Sequence, residues 1–162
     1  MNRVDWKGNL MLAMTINFAN LFLASLVIGA MFGVWLFFNP KGLDGPRYVV
    51  LHQQGIRTMN TAMPAFGAAT IVLTAAAAVM VRGDDERLAL MVGAAIAFLA
   101  VGAITRFVNQ PINLVVTTWS TATPPPEWTR LRDTWWRWHV ARLVCGLGGL
   151  AGLILAELLR GR

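Results

Sequence analysis

Residues 10–38 read LMLAMTINFANLFLASLVIGAMFGVWLFF, a stretch without one charged side chain. A helix needs about 20 apolar residues to cross the hydrocarbon core of a bilayer. This run exceeds that length, and it lacks the polar stripe that a helix in water would present. Three further blocks follow: 51–81, where only His52 and Arg57 are chargeable; 88–119, which holds Arg106 alone; and 136–160, whose charges gather towards its ends. The chain is 56% hydrophobic and 14% charged, whereas soluble domains carry about a quarter charged residues. The expected fold is all-α, an integral membrane four-helix bundle. It forms a single transmembrane domain over 1–162, with spans at about 10–38, 51–81, 88–119 and 136–160.

The connections agree with four spans. Asn39-Pro40 and Gly42 stop the first helix, Gly83 marks a tight turn in RGDDER, and Pro124, Pro125 and Pro126 stiffen the connector before the fourth. The basic start before the first apolar run resembles a signal peptide, but the run is too long, so an uncleaved first span is expected. The single cysteine, Cys145, excludes an internal disulfide and a multi-cysteine zinc site. The net charge of +6 does not point to nucleic acid, because most cations sit at span ends, where they anchor a protein in its bilayer. Arg3, Lys7, Arg82, Arg87, Arg160 and Arg162 on one side outnumber Lys41, Arg47, Arg130 and Arg132 on the other. The positive-inside tendency then places the termini in the cytoplasm, with the chain in the cell's inner (cytoplasmic) membrane.

Polar residues inside spans are costly and default to function. In LHQQGIRTMNTAMP (51–64), His52, Ile56, Met59 and Met63 share one helical face, and Gln53, Arg57, Asn60 and Pro64 the next. In TRFVNQPINLVVTTW (105–119), Arg106, Asn109 and Asn113 are spaced to share a face. The fourth span opens with Trp135, His139 and Arg142 on one face. At about 1.5 Å per residue, His139, Asn60 and Asn109 lie at similar height, with His52 roughly 10 Å nearer the mouth. Pro64 and Pro111 break backbone bonding close to this layer. The expectation is one polar pocket between the second, third and fourth helices. Arg130, Arg132 and Arg137 are read instead as headgroup anchors beside an interfacial tryptophan belt. Asn17 and Asn20 are read as interhelical hydrogen-bonders near the opposite face. The spacings Gly29/Gly33 and Gly148/Gly152 suit close helix packing, within the chain or in a homo-oligomer through the first helix.

RYVVLHQQGIRTMNTAMP, TRFVNQPINLVVTTW and WWRWHVARLV, in this order on four spans, resemble the anthrone oxygenase-like family of small integral membrane proteins. The resemblance is most specific at Arg106, Phe107, Asn109, Pro111 and Asn113, and at Trp138 and Arg142. It implies an oxygenase-type oxidoreductase acting on lipophilic, aromatic molecules, as in the conversion of anthrones to anthraquinones.

Dioxygen reacts slowly with closed-shell molecules, so a metal, a flavin or a readily ionised substrate is needed. No flavin or nicotinamide motif is visible, and Asp133, Glu127 and Glu157 are poorly placed to complete a two-histidine-one-carboxylate iron site. The expected cofactor is haem b. His139 or His52 would be the axial ligand, with Arg106, Arg142, Arg57 and Asn113 around the cofactor. His52, Asn109 and Asn60 are the candidates for catalysis on a lipophilic small molecule and dioxygen. The alternatives are a cofactor-free oxygenase, in which a neutral histidine removes an acidic proton, and a non-enzymatic membrane haem electron carrier or assembly subunit.

Overall fold

The computed structural model describes residues 3–160; the side chains of Arg3, Lys7 and Arg162, used in the charge count above, lie outside the described residues. The chain is all-α, with no strand among the described residues. Its helices are α1 (Arg3–Phe37), α2 (Gly45–Met59), α3 (Ala62–Met80), α4 (Asp85–Ile104), α5 (Gln110–Thr117) and α6 (Trp128–Leu158). Four segments are long and apolar enough to cross a membrane: Leu10–Gly42, Ala62–Met80, Asp85–Thr117 and Trp128–Leu158. They form a helical membrane bundle. Each of α1 and α4 packs beside both α3 and α6, which closes the ring.

The turns follow from local chemistry. Asn39 accepts from the Lys41 amide at 3.1 Å as Pro40 opens a 3-10 turn. Asp44 caps α2 through the Arg47 amide at 2.9 Å, and Asp84 caps α4 through the Arg87 amide at 3.1 Å.

Two breaks change the sequence reading. The segment 51–81 is not one helix: α2 begins earlier, at Gly45, and the helix is interrupted at Asn60–Thr61 before α3. Pro64 cannot donate to the Asn60 carbonyl, and its ring crowds that carbonyl. The membrane-crossing part is therefore Ala62–Met80, and α2 packs as a separate amphipathic segment against α5. In the third span, Thr105–Asn109 forms a π turn, in which the Gln110 amide bonds to the Thr105 carbonyl. Pro111 has no N–H to offer, and widening the helix just before it lets α4 run on into α5 without a stop.

The core comprises Ala24, Ile28, Ala94, Phe98, Leu143 and Leu153 among others. Along α6, three glycines face inward. A Cβ on Gly149 would lie 2.7 Å from the Phe98 ring, one on Gly152 would lie 3.3 Å from the Leu90 carbonyl oxygen, and one on Gly146 would meet Ile28. The inward seam is thus Gly146, Gly149 and Gly152. Gly148 has nothing near it, and Gly29 and Gly33 on α1 likewise face away from the bundle.

At the end away from α2, Asn20 donates to Thr74 at 3.0 Å and Asn17 to Glu157 at 2.8 Å. These are the interhelical bonds that their sequence positions led us to expect. Glu157 also pairs with Arg160 at 2.8 Å and with Arg87 at 3.8 Å.

Candidate functional site

A cavity of about 790 Å³ opens between α1, α2, α3, α4, α5 and α6. That is within the range of small-molecule sites, roughly 300–1,000 Å³. Its wall is mostly apolar, with Val34, Met59, Met63, Ile71, Phe98 and Val101 among the lining residues. Its polar groups gather where α2, the π turn and α6 meet.

The first cluster is a network whose polarity is fixed from one end. The Trp135 indole N–H can only donate, and it reaches Asn113 Oδ1 at 2.8 Å. The oxygen of the Asn113 amide therefore faces it. That same oxygen lies 3.0 Å from His52 Nε2, so Nε2 carries the hydrogen and donates. Asn113 Nδ2 in turn donates to Asn60 Oδ1 at 3.3 Å. His52 is left with its lone pair on Nδ1, which is buried and has no partner. Aromatic rings hold the imidazole on several sides: Tyr48 at 5.1 Å, Trp135 at 4.7 Å and Phe38 at 6.2 Å between centroids.

The second cluster is built on α6. His139 Nε2 lies 3.1 Å from the Met31 carbonyl, which can only accept, so Nε2 is again the protonated nitrogen. Its bare Nδ1 accepts from Arg142 at 3.0 Å. The Arg142 guanidinium also donates to Thr105 Oγ1 at 3.2 Å, and its Nε is buried without a partner. The His139 ring stacks between Trp135 at 5.1 Å and Trp136 at 5.5 Å. Arg142 lies over the Trp135 ring at 5.9 Å. Trp135 thus touches both clusters.

The sequence-expected residues separate clearly. His52, Asn60, Asn113, His139, Arg142 and Arg106 line the cavity. Arg106 is at the exposed part of its wall. Arg57 is exposed and does not line it. The stripe of α2 that faces the cavity runs through His52, Ile56 and Met59, and Arg57 falls off it. Gln53, on the neighbouring stripe, ties α2 to the third span by donating to the carbonyls of Val116 and Trp119 at 2.9 and 3.1 Å. Asn109 is buried away from the cavity and donates to the Trp135 backbone carbonyl at 3.0 Å. The π turn is the reason: one extra residue in that turn rotates Asn109 towards α6, and Gln110 lines the cavity instead. Arg132 is also not a free headgroup anchor. It bonds Asp133 at 3.0 Å and covers the Trp128 ring at 4.8 Å.

Asn109→Leu should therefore act on the bundle. Removing a buried partner costs about 1–3 kcal/mol. We expect a lower unfolding temperature in detergent, with turnover per folded molecule unchanged. A selective loss of turnover would return Asn109 to the site.

Sequence reading missed Thr105, Gln110, the polarising role of the Trp135 N–H and the Met31 carbonyl. Pro111 signals the π turn that brings Gln110 round. A backbone carbonyl on α1 carries no sequence signal.

For a metal, His139 offers no free ring nitrogen, and a ligand bond at Nδ1 would have to displace Arg142. The bare Nδ1 of His52 is the one imidazole lone pair at the site without a partner. Among the described residues, no three of His, Cys, Asp and Glu gather to hold an ion.

No curated protein and no solved structure matches the chain. A family model does, over residues 54–152, and its description is Anthrone oxygenase. The matched region holds Asn60, Arg106, Asn113, Trp135, His139 and Arg142, and it starts just after His52. It covers more than half of the sequence, and the chain accordingly belongs to the anthrone oxygenase family.

Proposed function

We propose that the protein is a membrane oxygenase that converts a ketone-activated methylene of a flat, lipophilic molecule into a second ketone, with His52 as the base. The single observation behind this reading is the bare, buried Nδ1 of His52, whose tautomer is set by the chain from Trp135 through Asn113. A base must present its lone pair within reach of the proton it removes. The C–H proton moves to Nδ1, and its electron pair stays on the substrate as an enolate. Dioxygen bonds to that carbon, the peroxide anion takes the proton back from Nδ1, and the hydroperoxide then loses water to leave the carbon as C=O. Overall R₂CH₂ + O₂ gives R₂C=O + H₂O, and no outside reductant is required. The mostly apolar wall suits a substrate that reaches the site from the bilayer.

Haem is the second reading, and it rests on the same nitrogen, since Nδ1 of His52 would hold the haem iron and the haem would supply dioxygen activation. Anthrone in nanodiscs containing the purified protein tests the pair. The deprotonation reading expects one dioxygen consumed per anthraquinone formed, in protein without a Soret band. A Soret band that shifts with carbon monoxide, and that disappears in His52→Ala, would replace deprotonation with haem chemistry.

A further inference from the structure

Two arginines line the cavity, Arg106 at its exposed wall and Arg142 within, and it has no anion of its own. Arg142 reaches inward from α6, and both of its bonded partners, His139 Nδ1 and Thr105 Oγ1, are neutral acceptors. No Asp or Glu lines the cavity. The ion pairs among the described residues lie elsewhere: Asp44–Arg47, Asp84–Arg87, Glu157 with Arg87 and Arg160, and Asp133–Arg132. A buried charge without a counter-charge is expensive, so such groups are paired or neutralised wherever folding alone decides. Here the guanidinium is held in place instead. His139 is fixed by the Met31 carbonyl and by two indole faces, and it holds one terminal nitrogen; Thr105 holds the other. Nε, also a donor, is unpartnered.

We propose that Arg142 forms an anion subsite, held in place by Thr105, whose own hydroxyl hydrogen goes to the Val101 carbonyl at 2.8 Å, and that it takes the anionic oxygen of a flat lipophilic molecule, as an enolate, phenolate or carboxylate. His139 is its positioning residue. This rests on the oxygenase reading and deepens it: the substrate is held in its ionised form, with the charge on oxygen at Arg142 while the reacting carbon faces His52. The two sites share Trp135 as a common wall, which the indole forms by meeting His52 edge-on and lying beneath the guanidinium.

The test uses 2-naphthoate and its neutral analogue 2-naphthamide, titrated against the protein in phosphatidylcholine nanodiscs. We expect the anion to bind about tenfold or more tightly, as one charge-assisted hydrogen-bonded pair provides. In Arg142→Met the preference should fall to about one while naphthamide still binds, which shows that the cavity persists. Arg142→Lys should retain part of the preference. Equal binding of the two probes by the unmodified protein overturns the proposal, as does a preference that survives in Arg142→Met. Phosphatidylglycerol distinguishes a headgroup site. If adding it at a fixed mole fraction abolishes naphthoate binding to the unmodified protein, the subsite serves lipid and the proposal falls. Anthrone turnover is read separately, so a charge preference without oxidation would remove the oxygenase reading and leave the subsite standing.

Discussion

His52→Gln should lower kcat for anthrone oxidation by about 10²–10⁴-fold, the usual contribution of a positioned general base. Glutamine can still donate to Asn113 Oδ1, so the link that joins α2 to the third span is retained. What disappears is the basic lone pair at Nδ1. The variant should therefore remain folded and should bind 2-naphthoate as well as the unmodified protein does. His139→Gln makes a useful contrast. It keeps a polar group beside Arg142 but loses the stack between Trp135 and Trp136. It should weaken the anion preference first and turnover second. Steady-state kinetics together with naphthoate titration separate the two roles. Full turnover in folded His52→Gln would end the base assignment, and loss of turnover with loss of probe binding would move His52 from chemistry to structure.

What could be read from the sequence divides along a physical line. Three of the four spans were legible, because bilayer thickness imposes a long apolar run on any helix that crosses it, whereas 51–81 breaks at Asn60–Thr61 and only Ala62–Met80 is long and apolar enough to cross. That constraint is strong for 10–38, and the chain meets it. The convergence of His52, Asn60, Asn113, His139 and Arg142 on one pocket was also legible, since alternating spans bring those helix ends to the same membrane face, although the expected offset of His52 towards the mouth did not anticipate its 3.0 Å contact with Asn113. Two further things were not. Face assignments assumed 3.6 residues per turn, and the π turn at Thr105–Asn109 breaks that assumption, exchanging Asn109 for Gln110 at the cavity wall. The division of labour between the histidines was hidden as well. Both ring tautomers depend on acceptors far away in sequence: Asn113 for His52, and the backbone of Met31 for His139. Only the folded backbone shows that one ring keeps a buried lone pair without a partner and the other spends it on Arg142.

Gly149→Leu should cost the most stability of any single change considered. The Cβ alone would stand 2.7 Å from the Phe98 ring, and Phe98 is buried at the centre of the bundle. A leucine adds three further carbons in the same direction. Overpacking a close-packed core costs about 1–3 kcal/mol and sometimes more. A ring wedged against a facing helix has little room to turn, so relief must come from moving α6 away from α4. That movement also separates Arg142 from Thr105, because Arg142 sits on α6 and Thr105 opens the π turn that continues α4. Stability and the anion preference should then fall together. Gly148→Leu is the control, one residue earlier and facing outward with nothing within 4 Å. Both substitutions remove a poor helix former, worth about 0.8–1.0 kcal/mol in an exposed helix interior. Gly148→Leu should therefore be neutral or slightly stabilising, and only Gly149→Leu should unfold at a lower temperature in the same detergent. Similar unfolding temperatures for the two would mean that the seam between α4 and α6 tolerates a side chain, and that closeness there does not hold Arg142 against Thr105.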